Sequence, residues 1–289
     1  MSLKYRELKI EPTLIPAELG IISANLDDLE KVRIASENRY RILTTNEADK
    51  DGEVRGFGLD PNNKSVQRIR EVADLVSEAE KNAIKALELT MKESPLLPWI
   101  QEQKGAGLKT MGRFLSCIGD PFYHAQRGTA RVLPELWAYC GLHTVMPEGE
   151  TDNNKREAAR RRKGQKANWD MEARKRLYII TESLVKQGVR KAAIVDDEGN
   201  TVLDENGEPK MRRYGITKWG EIYVARRERN SELHGPDSEV PWTDAHSDMD
   251  AKRILGREFL RDLWKESRDI HLKELGEKKE HFDDGVWND

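Results

Sequence analysis

Cysteine and aromatic residues are scarce in this 289-residue chain, and long apolar runs are missing. The two cysteines, Cys117 and Cys140, stand in neither a metal-ligand nor a redox spacing. Two thiols cannot build a disulfide framework, so a reducing cytoplasm is the expected compartment. No stretch approaches the roughly 18 apolar residues that a membrane-spanning helix needs. The N-terminus, MSLKYRELKIEP, lacks the apolar segment of a secretion signal. Core formers are thin as well. Apolar residues make up 37% of the chain and charged residues 35%, against roughly 45–50% (glycine included) and about 25% in ordinary domains. That balance disfavours a compact sandwich or barrel and favours long helices with solvated faces.

Charge is abundant, yet the net charge is only −3. The total conceals a segregation. Residues 155–166, KREAARRRKGQK, carry a local +6, and residues 210–229 a local +5, which leaves −14 for the rest. Two basic segments in an acidic chain are a signature of contact with an anionic partner, set against the commoner fate of a solvated helix face.

The hydrophobic pattern predicts a mainly α fold. Residues 1–22 read as an extended arm. Residues 23–94 read as a long antiparallel helical hairpin, coiled-coil-like. Its first helix is expected over 26–43 behind an Asn25 cap. Its second is expected to start at Asp60-Pro61, with Val66, Ile69, Val72, Val76, Ala79, Ala83, Leu87 and Met91 as its apolar stripe. Residues 95–276 read as a helical domain, in which 96–143 is the least charged part and the expected core. AAIVDDEGNTVLDENGEP predicts a β-hairpin insert at 192–210. Ser247 is the expected cap of the last long helix. The tail, 277–289, is acidic.

The most informative stretch is WIQEQKGAGLKTMGRFLSCIGD, residues 99–120. A short helix runs into Gly105-Ala106-Gly107 and then into a helix with Leu108, Met111, Leu115 and Ile118 on one face. Gly112 allows close helix approach. This is the layout of a helix-hairpin-helix. Helix N-termini offer unpaired amides and partial positive charge to phosphate, and Lys104 and Lys109 flank the turn. Such contacts fix register on a nucleic-acid backbone without reading sequence. A plain helical corner with a glycine turn is the alternative. The candidate nucleic-acid contacts are Lys104, Gly105, Ala106, Gly107, Lys109 and Arg113 in the hairpin. Lys155, Arg156, Arg160, Arg161, Arg162, Lys163 and Lys166 supply the basic segment, and Arg174 and Lys175 the helix after it. Arg212, Arg213, Lys218, Arg226, Arg227 and Arg229 form a second candidate face. Trp169 and Tyr178 are positioned to stack on unpaired bases or to pack in the core.

IGDP at 118–121, LWAYCGLH at 136–143, KGQKAN at 163–168 and ARKRLYIITESLV at 173–185 together resemble the C-terminal domain of the DEDD-type insertion-sequence transposases, the insertion-sequence-one-ten family. AHSDMDAKRILGREFLRDLW at 245–264 is similar to a terminal helix of related actinobacterial and phage proteins. The resemblance covers roughly residues 60–265. It implies a mobile-element protein of DNA recombination that binds DNA, or structured RNA, since relatives bind a guide RNA. Two departures stand out. About 22 residues precede the first helix, too few for the RuvC-like domain that carries the family's metal-binding acids. The stretch HTVMPEGETDNN after the A-x-x-G-L segment offers Thr144 and Thr151 where the family has a catalytic serine. A secondary hydroxyl is the poorer nucleophile.

The expectation is therefore a DNA-binding, transposase-like protein that holds the phosphate backbone without its own cleavage activity. No catalytic residue, cofactor or metal is assigned. The alternatives are a recombinase or nuclease subunit acting with a RuvC-like partner in trans, dimerised through the helical hairpin, and an interaction protein with a vestigial hairpin. DAHSDMD at 244–250 fails as a calcium loop, because Met249 and Leu255 stand where glycine and glutamate are required. His124 and His143 lack a partnering nucleophile and read as structural or phosphate-facing.

Overall fold

The computed structural model describes residues 5–147, 149, 151–152, 156–161, 163–196, 198–204 and 206–276. Among them the fold is mainly α, with eight α-helices and three small antiparallel strand pairs. No helix among the described residues is long and apolar enough to cross a membrane. The chain divides into two compact units, Pro16–Ser94 and Met1–Ile15 with Pro95–Asp289. The acidic tail, 277–289, lies outside the described residues.

Pro16–Ser94 is a helical hairpin. Its helices, α1 (Leu19–Thr44) and α2 (Lys64–Met91), run antiparallel: Arg33 pairs with Glu80, and Arg70 lies over the Tyr40 ring. The buried seam steps by seven residues, through Leu19 and Leu26 on α1 and Val66, Ala73, Glu80 and Leu87 on α2. That is the coiled-coil repeat. It is narrower than the stripe expected from the sequence, for Ile69 is 39% and Val72 56% exposed. One partner helix covers only a strip of its neighbour, so positions at the stripe's edge stay in solvent. A polar layer interrupts the seam at Glu80, which Arg33 holds while also reaching Glu37 at 2.8 Å. Both helix starts differ from expectation. Asn25 falls inside α1. Asp60 turns its carboxylate onto the Asn62 amide, so Asp60-Pro61 forms a turn, and Asn63 caps α2 by accepting the Ser65 amide at 2.9 Å.

The larger unit contains α3 (Leu97–Glu102), α4 (Leu108–Ile118), the pair β1 (Tyr123–His124) and β2 (Thr129–Ala130), and α5 (Leu133–Tyr139). Then β3 (Thr144–Val145) pairs with β4 (Glu157–Ala158). α6 (Met171–Gly188) leads directly into β5 (Val189–Ala193), which pairs with β6 (Met211–Gly215) ahead of α7 (Lys218–His234) and α8 (Asp244–Glu274). The N-terminal arm docks here. Lys9 bridges Thr129, the Ala130 amide donates to the Leu8 carbonyl at 2.8 Å, and Arg6 reaches Glu135 at 2.9 Å.

The β-arm spans 189–215 and is longer than the expected insert. Bridges Val195–Thr201 and Leu203–Pro209 fold its tip into two similar turns. In each, an aspartate carboxylate accepts two amides: Asp196 from Glu198 and Asn200, Asp204 from Asn206 and Glu208. This is the local chemistry that DDEGN and DENGE encode.

α8 runs through the core, and its start also differs from expectation. Thr243 caps it by accepting the His246 amide at 3.2 Å, leaving Ser247 one turn inside. Leu255, Phe259, Leu260 and Leu263 are fully buried. Phe259 meets Trp99 at 5.5 Å and Trp219 at 5.4 Å between ring centres, and Trp264 meets Phe122 at 5.4 Å. The core thus reaches well beyond residues 96–143 and takes in Leu177, Ile180 and Leu184 of α6. Burial pushes both thiols up, that of Cys140 in the core and that of half-buried Cys117.

Candidate nucleic-acid interface

The glycine turn of residues 103–107 is present, and its two glycines do different work. Gly105 takes φ +106°, and a Cβ there would stand 3.0 Å from the Ser183 carbonyl oxygen and 3.2 Å from the Leu184 Cα. It faces α6, which its missing side chain lets approach, and so does not face outward to a phosphate. Ala106 is buried beside it. Gly107 is the N-cap of α4, with extended backbone (φ −69°, ψ 155°), an exposed surface and nothing within 4 Å of a built Cβ. No side chain caps this end. Gln103 anchors the turn: its side-chain amide donates to the Trp99 carbonyl at 2.8 Å and its oxygen accepts the Trp219 indole at 3.1 Å. Lys104 is exposed and Lys109 half-buried. Arg113 departs from expectation. It lies one turn further, on the face where Met111, Phe114 and Leu115 are buried, and is itself buried at 8% exposure. A residue there packs inside the unit and does not present its charge to a backbone outside.

The basic segment lies at the other end of the same helices. The turn before α4 lies against Leu184 of α6 at Gly105, and near the end of α4 the Cys117 carbonyl accepts the Tyr139 hydroxyl, 3.5 Å from Asp170 at the start of α6. The ten residues from Arg174 to Leu184 place about 15 Å along α6 between the two places. They are not one site. Lys155 and Arg162 lie outside the described residues. Arg156 holds the β3–β4 pair by donating to the Thr144 hydroxyl at 3.0 Å and its carbonyl at 2.8 Å. Arg174 donates to the Ala159 carbonyl at 2.9 Å and lies 5.0 Å over the Trp169 ring. Both are therefore used inside the fold. Burial holds the Arg174 guanidinium below its ordinary value. Arg160 pairs with Glu157 at 3.0 Å and Lys175 with Glu172 at 3.4 Å, both on exposed surface where such pairs are weak. Arg161, Lys163 and Lys166 are exposed and have no acid partner among the described residues.

The second basic segment behaves differently. Arg226 bonds Asp250 at 2.6 Å, Arg227 pairs with Asp244, Lys218 with Asp262 and Arg212 with Glu228 at 3.5 Å. Asp248 joins this seam through the Tyr223 hydroxyl at 2.6 Å and Lys252 at 2.7 Å. Lys218, Arg226 and Arg227 thus hold α7 against α8, Arg212 pairs from β6 with Glu228 of α7, and Arg213 and Arg229 of the second candidate face are exposed without an acid partner among the described residues. The acids of DAHSDMD are the other half of that seam, and no group of three metal-ligating side chains occurs among the described residues. Burial pushes the Tyr223 hydroxyl up to about 12, with Asp248 adding to it.

One buried network leaves no mark in the sequence. The Asp120 carboxylate bonds His271 at 2.7 Å and accepts from Ser267 at 2.9 Å and from the Phe122 amide at 3.0 Å. Serine and histidine both bond the aspartate, and all three residues are at most 3% exposed. The set fastens the IGDP turn to the end of α8 and offers no nucleophile to a substrate. No spacing announces it, since the partners are about 150 residues apart in the chain. His124 and His143 have buried ring nitrogens without hydrogen-bond partners. Burial lowers both imidazoles from their ordinary value, with nearby arginines adding to the effect. Compared with protein-family models, with curated proteins and with solved structures, the chain matches none of them.

Proposed function

We propose that this chain binds nucleic acid through the phosphate backbone, in the manner of the DNA-binding part of a transposase. The observation that carries this reading is the contrast between the two basic segments. Lys218, Arg226 and Arg227 of α7 are matched by carboxylates of α8, which leaves Lys210, Arg213 and Arg229 spread along that run, whereas Arg161, Lys163 and Lys166 are exposed within six residues of one another and have no acid partner among the described residues. A fold that takes up part of one basic run and leaves three neighbouring cations of the other open concentrates positive potential there. The uncapped N-terminus of α4 at Gly107, between Lys104 and Lys109, adds a second anchor toward the other end of α6. Two separate anchors suit a polyanion better than a single small anion. DNA is the first partner on this reading, and structured RNA shares the chemistry.

The test is an anisotropy titration of labelled duplex DNA, single-stranded DNA and structured RNA at 50 and 200 mM salt. Affinity should fall steeply with salt for at least one of them. Replacing Arg161, Lys163 and Lys166 with glutamine should weaken binding without lowering the melting temperature. Absence of binding at 50 mM salt sinks the proposal. A second reading, a recombinase subunit that dimerises through the helical hairpin, is favoured by the exposed Ile69, Val72 and Leu75 on α2. Light scattering that finds a monomer at high protein concentration excludes it.

A further inference from the structure

Beside the unmatched cations lies a pocket of about 380 Å³, between the end of β4 and the loop that enters α6. Arg160, Arg161 and Lys166 line it, with the side-chain amides of Gln165 and Asn168 and with Trp169, and Val145 and Met146 supply its apolar wall. Trp169 is held in place from behind. Arg174 lies over its ring, His143 meets it edge-on at 6.0 Å between ring centres, and Gly141 leaves the room it needs. A Cβ at 141 would stand 2.8 Å from the Trp169 Cδ1. The Trp169 indole N–H is buried without a hydrogen-bond partner.

We infer that this pocket takes one unpaired nucleotide of a bound strand, its base on the Trp169 ring and its phosphate among Arg160, Arg161 and Lys166. The parts fit that ligand class and few others. A fixed aromatic ring stacks on any base. Gln165 and Asn168 each offer both donor and acceptor, as a base edge requires. The cations supply charge-assisted contacts to one phosphate group. The volume lies at the small end of ligand pockets and admits a single extruded nucleotide, not a duplex. The inference rests on the nucleic-acid reading and deepens it.

The full-length chain is titrated with a fully paired duplex and with the same duplex carrying a one-nucleotide bulge, as DNA and as RNA, with 2-aminopurine at the bulge. The bulged substrate should bind about tenfold more tightly, with its fluorescence quenched on binding. Trp169→Ala should abolish both the preference and the quenching, and Trp169→Phe should keep them. Because Trp169 is wedged in place, Gln165→Ala/Asn168→Ala provides an independent variant away from the ring. It should lose most of the preference while binding the paired duplex as before. Equal affinity for paired and bulged substrates, or a preference and quenching that survive both Trp169→Ala and the double substitution, overturns the pocket assignment and leaves backbone binding standing. No binding of any substrate instead removes the underlying reading. A free mononucleotide that displaces the bulged substrate at equal concentration would reassign the pocket to a small molecule. Preference for the DNA or the RNA bulge identifies the strand.

Discussion

Gly107→Asp separates stability from binding, because the two should move in opposite directions. Gly107 is the N-cap of α4, its backbone is extended, and a side chain there meets nothing within 4 Å. An aspartate can therefore be added without steric cost. It should accept a first-turn amide, worth a few tenths of a kcal/mol over glycine. Its charge at the positive end of the helix adds about 0.3–1 kcal/mol. Loss of glycine's freedom in the unfolded chain adds about 0.4–1 kcal/mol. The sum, about 1–2 kcal/mol, should raise the melting temperature by roughly 2–8 °C in a unit of this size.

Binding should suffer by the same change. A carboxylate occupies the amides a phosphate would use and repels it. Loss of charge-assisted contacts worth about 1.5–3 kcal/mol weakens affinity roughly 10- to 100-fold. The slope of log affinity against log salt should flatten by about 1 if one phosphate contact is lost. Gly107→Ala neither caps nor charges the turn and should bind as the parent does. Calorimetry and anisotropy at two salt concentrations check both limbs. A stabilised variant with unchanged affinity and slope would show that the turn holds no phosphate. A variant with no gain in stability would show that Gly107 does not cap α4.

Four further outcomes follow from the same geometry. Gly105→Ala must place a side chain at φ +106° against the α6 backbone and should cost about 1–3 kcal/mol by chemical denaturation. In the helical hairpin, Arg33→Leu should destabilise because it removes the ion pair that Arg33 makes with the buried Glu80 carboxylate. Arg33→Leu/Glu80→Leu should recover the loss or exceed the parent, since apolar replacement of a buried pair is often neutral or stabilising. Asp250→Ala removes the partner of Arg226, Arg253 and Asn230 and should loosen α7 from α8, read as faster amide exchange in α7. For pH, the His124 and His143 imidazoles sit below their ordinary value, so the unfolded chain takes up those protons first. Their contribution is complete above about pH 6.5 and drains away as pH falls toward the folded values. His124→Gln/His143→Gln should flatten the loss of stability between pH 7 and 5.5.

The helices were legible in the sequence wherever one apolar stripe met one partner. α4 follows Met111, Leu115 and Ile118 as its period requires. The helix starts were less legible because several residues competed for each cap. Asp60-Pro61 and Asn63 both suit the start of α2, and Asp60 prefers to close its own turn on Asn62. Ser247 and Thr243 both suit α8, and Thr243 wins because the apolar side of the helix extends back to Ala251 and its acids extend back to Asp244. The α2 stripe was half right. A 3.6-residue count cannot tell a wide face from a seven-residue seam, and the choice depends on how many helices cover it. Within the candidate site, the turn at 103–107 was legible as a turn, but the direction of Gly105 was not. Glycine marks a place where something comes close, and only the fold shows that the neighbour is α6.

Charge was the least legible quantity, and the reason is physical. A local count such as +6 or +5 adds the cations of one segment without the anions that the fold brings to it. For 210–229 those anions sit on α8, at Asp244, Asp250 and Asp262, some 17 to 44 residues along the chain. The pairing turns three of that run's seven cations, Lys218, Arg226 and Arg227, into an interface within the unit. For 156–166 the acid paired with an arginine of the run among the described residues is Glu157, which takes Arg160. Arg161, Lys163 and Lys166 then face solvent beside a pocket floored by Trp169. The acidic remainder of the chain is therefore not all solvated surface, since part of it is what cancels the second basic run. A net charge of −3 does not argue against a polyanionic partner when the unmatched cations lie together in one place, because potential at a surface follows the local balance within about a Debye length.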